Sequence, residues 1–435
     1  MSRNVFISVL GAGLYGACKY NYNKCVSVET RFVQTATLEH INAKEWSNTD
    51  VAVFLLTEGA RRSNWEKTIT SRKNWSGKEE PYESLLSVLE KMELPIQIKD
   101  LPIPDGKNED ETWKIFDILY NFLEDGDNVY FDLTHSFRYL PMLVLVFSNY
   151  AKFLKNISVK HISYGNYEMK DQNTNVAPII NLLPLSALQD WTFAAATYIE
   201  NGNIERLVNL SNEILKPILR NPEERTADIQ TLDKIIDKLQ GVVEEWRSCR
   251  GKEIHTSKNL AIVKKLMDKL DITIIPPLNP VFLKIKDTLD KFDSRENIKN
   301  GFEAAKWCFH NGLYQQSVTI MLENIVTFFC IRHNIEEYTD RKLRGYVNSA
   351  FNICMRETNG INSKKETKSD EGTEIIEELL KDELFQNKDL INAFSNLTGI
   401  RNDINHAGMR TNGRNPKKIK EEISKYLDIY SMLTP

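Results

Sequence analysis

The sequence predicts an α/β domain followed by an all-α half, and three observations carry this reading. Apolar runs alternate with amphipathic stretches over residues 1–185, the pattern of a mostly parallel sheet with helices on both faces. Beyond about Leu185 the strand signals fade and long amphipathic stretches replace them. Polar residues gather where the apolar runs end, and parallel sheets bind ligands at the carboxyl ends of their strands. At 435 residues the chain exceeds one ordinary domain. The ranges read as 1–185 for the α/β domain, 186–280 for a helical connector and 281–435 for a C-terminal helical domain.

In chain order, strands are predicted at Asn4–Leu10, Cys25–Phe32, Val51–Leu56, Pro95–Ile98, Asn128–Leu133 and Ser158–Tyr164. Helical periodicity falls at Ala36–Glu45, Glu83–Lys91, Glu109–Glu124 and Phe137–Leu154. The connector holds Ala187–Asn201, Ile204–Leu219, Arg225–Trp246 and Ser257–Leu270. Pro276, Pro277 and Pro280 then break the chain. The last part holds Glu303–His310, Gln315–His333, Lys342–Cys354, Thr373–Leu380, Leu390–Ile400 and Lys417–Leu433. The polar, charged segment Glu357–Thr373 reads as a loop.

Bulk composition narrows the function classes. Hydrophobic residues at 41% with 27% charged residues describe a water-soluble globular protein. No run approaches the ~20 apolar residues a spanning helix needs. Val5–Leu10 reads as a buried first strand rather than a secretory segment, although Tyr15-Gly16-Ala17-Cys18 resembles a lipoprotein cleavage site. Six cysteines without a CxxC pair fit free thiols in a reducing cytoplasm and argue against a structural zinc site. A net charge of −4 gives no global sign of nucleic-acid binding, so an RNA site has to be a local basic patch.

Two constellations carry chemistry in the first domain. Gly11-Ala12-Gly13-Leu14-Tyr15-Gly16 follows the first strand and matches GxGxxG, which would suit a nicotinamide dinucleotide. The polar, aromatic run Cys18–Lys24 does not continue as the required helix, and a flexible loop leading into a hairpin fits better. Asp132-Leu133-Thr134-His135-Ser136-Phe137-Arg138 directly follows an apolar strand, where hydroxyls, an imidazole and an Arg can meet an anion at a helix start. Thr57 and Arg61 follow a second strand and Gly165 a third. Gly11, Gly13, Tyr15, Thr57, Arg61, Thr134, His135, Ser136, Arg138 and Gly165 are therefore the candidate nucleotide-binding residues.

The hexapeptide Arg401-Asn402-Asp403-Ile404-Asn405-His406 is the candidate catalytic motif. Arg is a permanent cation that can stabilise a pentacoordinate phosphorane, and His can move a proton near neutral pH. On an ideal helix Arg401 and His406 lie about 140° apart, whereas Asn402 and His406 share a face. The span Arg401–Lys420 carries six basic residues and one acidic residue, a local patch of +5. Glu323 reads as a salt-bridge partner that could also support this site. No carboxylate cluster near the motif suggests Mg²⁺, so no metal and no cofactor is expected.

The glycine loop with the Asp132–Arg138 segment resembles a CARF domain, the Rossmann-like nucleotide-sensing module of CRISPR-associated proteins. The hexapeptide resembles the catalytic motif of HEPN ribonucleases. The order of the two, with helices between, resembles the ancillary ribonucleases of type III CRISPR systems; Ser136 stands where many relatives carry Gly. The resemblance implies a cytoplasmic homodimer or higher homo-oligomer, activated by cyclic oligoadenylate, foremost cyclic tetra-adenylate. It would cut single-stranded RNA with Arg401, Asn402 and His406 and leave 2′,3′-cyclic phosphate and 5′-OH ends. The alternative is a non-catalytic nucleotide-sensing regulator that binds nucleic acid through its helical part.

Overall fold

The computed structural model describes residues 2–66, 71–73, 77–135, 139–273, 276–335, 337–358, 370–409 and 411–434. The chain divides into two compact units, Met1–Ala187 and Leu188–Pro435. The ranges 186–280 and 281–435 lie essentially together in the second.

The first unit is built on an eight-stranded sheet. Its strands are β1 (Asn4–Leu10), β2 (Lys19–Tyr22), β3 (Cys25–Val26), β4 (Val51–Leu56), β5 (Gln97–Pro102), β6 (Asn128–Asp132), β7 (Ser158–Gly165) and β8 (Val176–Asn181). Their order is β3-β2-β8-β7-β6-β1-β4-β5. The run β7-β6-β1-β4-β5 is parallel. Its central strands β1 and β4 are apolar and buried, as strands covered on both faces must be. The helices are α1 (Val33–His40), α2 (Leu85–Lys91), α3 (Glu109–Phe122) and α4 (Leu140–Lys155). Alternate residues of β1 feed different cores: Val5, Ile7 and Val9 join one cluster, Phe6 and Leu10 another.

β1 and β4 run as expected, but the sheet differs from the sequence reading at its polar end. The extended run expected at Cys25–Phe32 forms only Cys25–Val26, and β2 precedes it. Asn23 and Lys24, both at positive φ, make the two-residue turn between them. β2 and β8 carry polar residues and a Pro, so neither shows the apolar run of a central strand. The helix expected from Ala36 begins at Val33, because Gln34, Thr35 and Thr37 are buried polar residues. Two of them satisfy themselves locally, Thr35 Oγ1 donating to Phe32 O at 2.8 Å and Thr37 Oγ1 to Val33 O at 3.0 Å. The strand expected at Pro95–Ile98 runs instead over Gln97–Pro102.

The helix α5 (Leu183–Asn201) includes the boundary after Ala187, and in the second unit it is followed by a stretch interrupted by a π-turn at Ser211–Leu215. Pro217 explains the interruption, since it lacks an N–H and its ring crowds the preceding turn. Next come α6 (Ala227–Arg247), α7 (Gly251–Thr256), α8 (Lys258–Met267) and α9 (Leu278–Asp287). The proline cluster begins a helix rather than ending one: Pro277 caps α9 and Pro280 falls in its first turn, where no N–H is needed. The remaining long helices are α10 (Lys299–His310), α11 (Tyr314–Arg332), α12 (Arg341–Thr358), α13 (Asp370–Leu379), α14 (Lys388–Asn405) and α15 (Pro416–Ser424). The segment read as a loop at Glu357–Thr373 falls mostly outside the described residues.

α11 is buried on nearly every side and forms the centre of this unit, packed by α10, α12 and α14. At Gly301 the α10 backbone approaches α11 so closely that a Cβ would lie 2.2 Å from Asn324 Oδ1. Phe351 and Phe394 stack with ring centroids 3.9 Å apart and so join α12 to α14. Among the described residues, no helix is long and apolar enough to cross a membrane.

Candidate functional site

Two groups of predicted residues are brought together, one in each unit. In the first unit β7, β6, β1 and β4 are adjacent and parallel, so Gly165, Thr134–His135, Gly11 and Thr57 emerge at one edge of the sheet. Asp132 organises this edge. Its buried carboxylate accepts from Ser8 Oγ at 2.7 Å, from Thr134 Oγ1 at 2.5 Å and from Thr134 N at 3.1 Å. Burial pushes its pKa up, and the hydrogen bonds from Thr134 and Ser8 pull against that shift. Thr134 Oγ1 in turn accepts from Gly165 N at 2.8 Å. Three strand ends are thereby pinned through the Asp132 carboxylate and the Thr134 hydroxyl. Gly165 is required here, since a Cβ would lie 2.4 Å from Val33 Cγ2.

Tyr15 and His135 stack with ring centroids 4.0 Å apart, next to Gly11. Burial lowers the His135 pKa to about 4, so the imidazole is neutral at pH 7. Its Nε2 is shut from solvent and has no hydrogen-bond partner among the described residues. Thr57 caps its own turn by accepting from Ala60 N at 3.2 Å. Arg61 pairs with Asp100 of β5. Ser136 and Arg138 lie outside the described residues.

The glycine loop is held by residues that the sequence reading missed. Asn64 Nδ2 donates to Gly11 O at 2.7 Å and to Gly13 O at 2.9 Å. Arg72 donates to Ala12 O at 3.1 Å and to Asn64 Oδ1 at 2.7 Å, and the Tyr82 hydroxyl also donates to Asn64 Oδ1. The one available signal was Asn64 itself, an amide beside Trp65 shortly after a buried strand. Its loop partners lie some fifty residues away in sequence.

In the second unit α14 carries the hexapeptide. Asn387 starts the helix by accepting from the backbone of Asp389 at 3.0 Å and Leu390 at 3.2 Å. The helix ends at His406, with Ala407 and Gly408 at positive φ. Ala407 N donates to Ile404 O and Gly408 N to Asp403 O, both at 2.9 Å, which closes the last carbonyls in a Schellman turn. Asp403 points into the core, and its Oδ2 accepts from Arg414 N at 3.0 Å. That bond fixes the chain beyond the motif against the helix that bears it.

Arg401, Asn402 and Asn405 line an open cleft of about 460 Å³. Gln315, Gln316 and Thr319 of α11 form another wall, and Arg247 with its two successors at the end of α6 completes it. Gln315 Nε2 donates to Asn405 Oδ1 at 3.2 Å. Arg401 also faces Glu323 at 3.9 Å, and Glu323 pairs more closely with Arg344 at 2.7 Å. His406 is exposed and is not part of the cleft wall. The structure thus joins Arg401 to Asn402 in the cleft and leaves His406 of the same chain outside its wall; helical spacing accounts for the divergence of Arg401 and His406.

The basic patch is weaker than the residue count suggests. Arg414 is bound by Glu422 at 2.6 Å and donates to Gly399 O at 3.2 Å. Lys417 and Lys418 face Glu421 and Glu422 at 3.9 Å each. Those two carboxylates fall just beyond the stretch that gave +5. Arg410 lies outside the described residues. Among the described residues, no group of three or more His, Cys, Asp or Glu side chains could hold a metal ion.

Comparison with known proteins adds the relationship. Residues 5–168 match the family described as "CRISPR system endoribonuclease Csx1, CARF domain". The N-terminal unit is similar to a CARF domain. The chain is also 26% identical over 243 residues to a CRISPR-associated protein of Methanocaldococcus jannaschii. That alignment covers 55% of this chain and 35% of the relative, so the chain spans about a third of the relative's length. The CARF match includes β1, the glycine loop, β6 and the Thr134–His135 edge.

Proposed function

We propose that this protein is a cyclic-oligoadenylate-activated endoribonuclease of type III CRISPR defence, acting in the cytoplasm. The CARF similarity and the CRISPR-associated relative support a CRISPR-related cyclic-oligoadenylate-sensing role for the first unit. The ribonuclease reading rests chiefly on one observation: Arg401 and Asn402 share a polar cleft while His406 ends the same helix, exposed.

In this reading the RNA 2′-hydroxyl loses its proton and attacks the adjacent phosphorus. The bond to the 5′-oxygen breaks, and that oxygen takes up a proton. The products are a 2′,3′-cyclic phosphate and a 5′-OH. His406 transfers protons, Arg401 stabilises the phosphorane and Asn402 orients a phosphate oxygen or the imidazole. No step needs a metal. Because Arg401 and His406 diverge on one helix, two copies of α14 across a two-fold axis would complete the site. Self-association is also supported in the first unit by the exposed stripe Met142, Val146 and Phe153 on α4, whose residues are 69%, 60% and 84% exposed.

The test is an RNase assay with single-stranded RNA and EDTA, adding cyclic tri-, tetra- and hexa-adenylate separately. Cleavage is expected foremost with the tetra-adenylate, giving 3′ ends that resist ligation until the cyclic phosphate is opened and the remaining phosphate removed, and 5′-OH ends that a kinase can phosphorylate. Absence of cleavage with every ring would overturn the enzyme reading and leave the non-catalytic regulator.

A further inference from the structure

We infer that Arg247 is a second phosphate-binding residue of the Arg401 cleft, so that the end of α6 takes part in holding RNA; this rests on the ribonuclease reading above. Arg247 is separated from Arg401 by most of the second unit's sequence, yet both line the same cleft. No Asp or Glu lines it with them among the described residues.

The Arg247 guanidinium is only partly compensated. Its Nη2 donates to Gly202 O at 3.3 Å, and its Nε is shut from solvent with no hydrogen-bond partner. No carboxylate pairs with it among the described residues, whereas Arg332, Arg344 and Arg414 of the same unit each hold one within 3 Å. A half-buried arginine without a counter-ion, in a cleft with a second arginine, suits an anion with more than one charged group. A guanidinium fork matches phosphate geometry in two directions. Consecutive phosphates of a single strand meet that description. The amides of Gln315 and Gln316 stand in the same wall and can hydrogen-bond an unstacked base edge or a 2′-hydroxyl. Gln315 is already oriented by its bond to Asn405.

The experiment uses the full chain with saturating cyclic tetra-adenylate and a fluorescein-labelled single-stranded RNA. Binding is read by anisotropy over a salt series in a His406→Ala background, so that the RNA stays intact. Arg247→Gln is expected to weaken binding about tenfold and to lower the slope of log affinity against log salt by about 0.7. Arg247→Lys should keep the slope, because the charge remains. In the parent with His406 intact, Arg247→Gln should raise KM with little change in kcat. Thermal midpoints of all variants separate these effects from unfolding. Unchanged affinity and slope in a folded Arg247→Gln, while the parent still cleaves RNA, overturns this inference alone. A parent that neither binds nor cleaves RNA overturns the ribonuclease reading and this inference with it. Arg247-dependent binding without cleavage keeps the phosphate site and rejects only the enzyme.

Discussion

The polar strand ends of the first unit are knitted together, whereas the polar cleft of the second is left open. At the sheet edge the Thr134 hydroxyl donates a hydrogen bond to Asp132 and accepts one from Gly165 N, and Asn64 Nδ2 donates to the Gly11 and Gly13 carbonyls. Tyr15 and His135 cover each other. In the cleft, among the described residues, Arg401 has a carboxylate at 3.9 Å, Arg247 pairs with none, and Gln315 bonds Asn405 at 3.2 Å. The contrast fits different duties. A sensor has to present one fixed shape to a ligand, so its loops are held by bonds across distant segments. A cleft that stabilises charge in passing has to keep its donors uncommitted until substrate arrives.

Breaking the open side should have the largest effect. Arg401→Ala and His406→Ala are each expected to lower RNA cleavage at least about a hundredfold. Activator affinity, read by calorimetry, should stay at the parent value. Loss of activator binding in either variant would contradict the division of labour between the two regions.

On the knitted side, Asp132→Ala removes the carboxylate that three hydrogen bonds converge on. The expected cost is about 3 kcal/mol of stability, with weakened activator binding. Denaturant titration with ligand binding on the same sample checks both. A stable variant that binds normally would show that Asp132 does not organise the edge.

Acid sharpens the comparison further. Burial, with a contribution from His40, lowers the His161 pKa to about 4, and burial alone does so for His135. Unfolded histidine titrates near 6.5, so between about pH 6.5 and pH 4 the unfolded chain binds protons that the folded chain refuses. Stability is therefore full above pH 6.5 and falls as the pH drops through that window. For the well-buried His161 the loss at pH 5 is on the order of 2 kcal/mol. His161→Asn should flatten the pH dependence in denaturant titrations at pH 7 and 5, and an unchanged slope would reject the assignment.

The smallest effect is expected from Lys417→Ala with Lys418→Ala. Their ion pairs to Glu421 and Glu422 are exposed and long, so stability should change by less than about 0.5 kcal/mol. RNA affinity in the His406→Ala chain should fall less than with Arg247→Gln. The reverse order would return the basic patch to the role its residue count suggested.

Much of this was legible because it is local. β4 is a continuous apolar run and β1 is one interrupted by Ser8, and Asn4–Leu10 and Val51–Leu56 could be read to the residue. The divergence of Arg401 and His406 follows from helical spacing within one segment. The polar strands β2 and β8, the early start of α1 and the helix begun by the proline cluster were not legible, because tertiary contacts bury or satisfy their polar groups. Arg247 gave no signal either, as nothing near it in sequence marks a site.

The sequence by itself determined the α/β-then-α order, the strand-end placement of Thr134 and Gly165, and the two faces of the hexapeptide helix. Those are consequences of periodicity and chain direction, which neighbouring residues encode. Only the tertiary structure decided that Asn64 and Arg72 hold the glycine loop, that Glu421 and Glu422 temper the basic patch, and that Arg247 shares a cleft with Arg401. The glycine-loop and Arg247 contacts depend on side chains meeting across long stretches of chain, where packing and hydrogen-bond geometry choose the partner, whereas Glu421 and Glu422 meet their lysines one helical turn away.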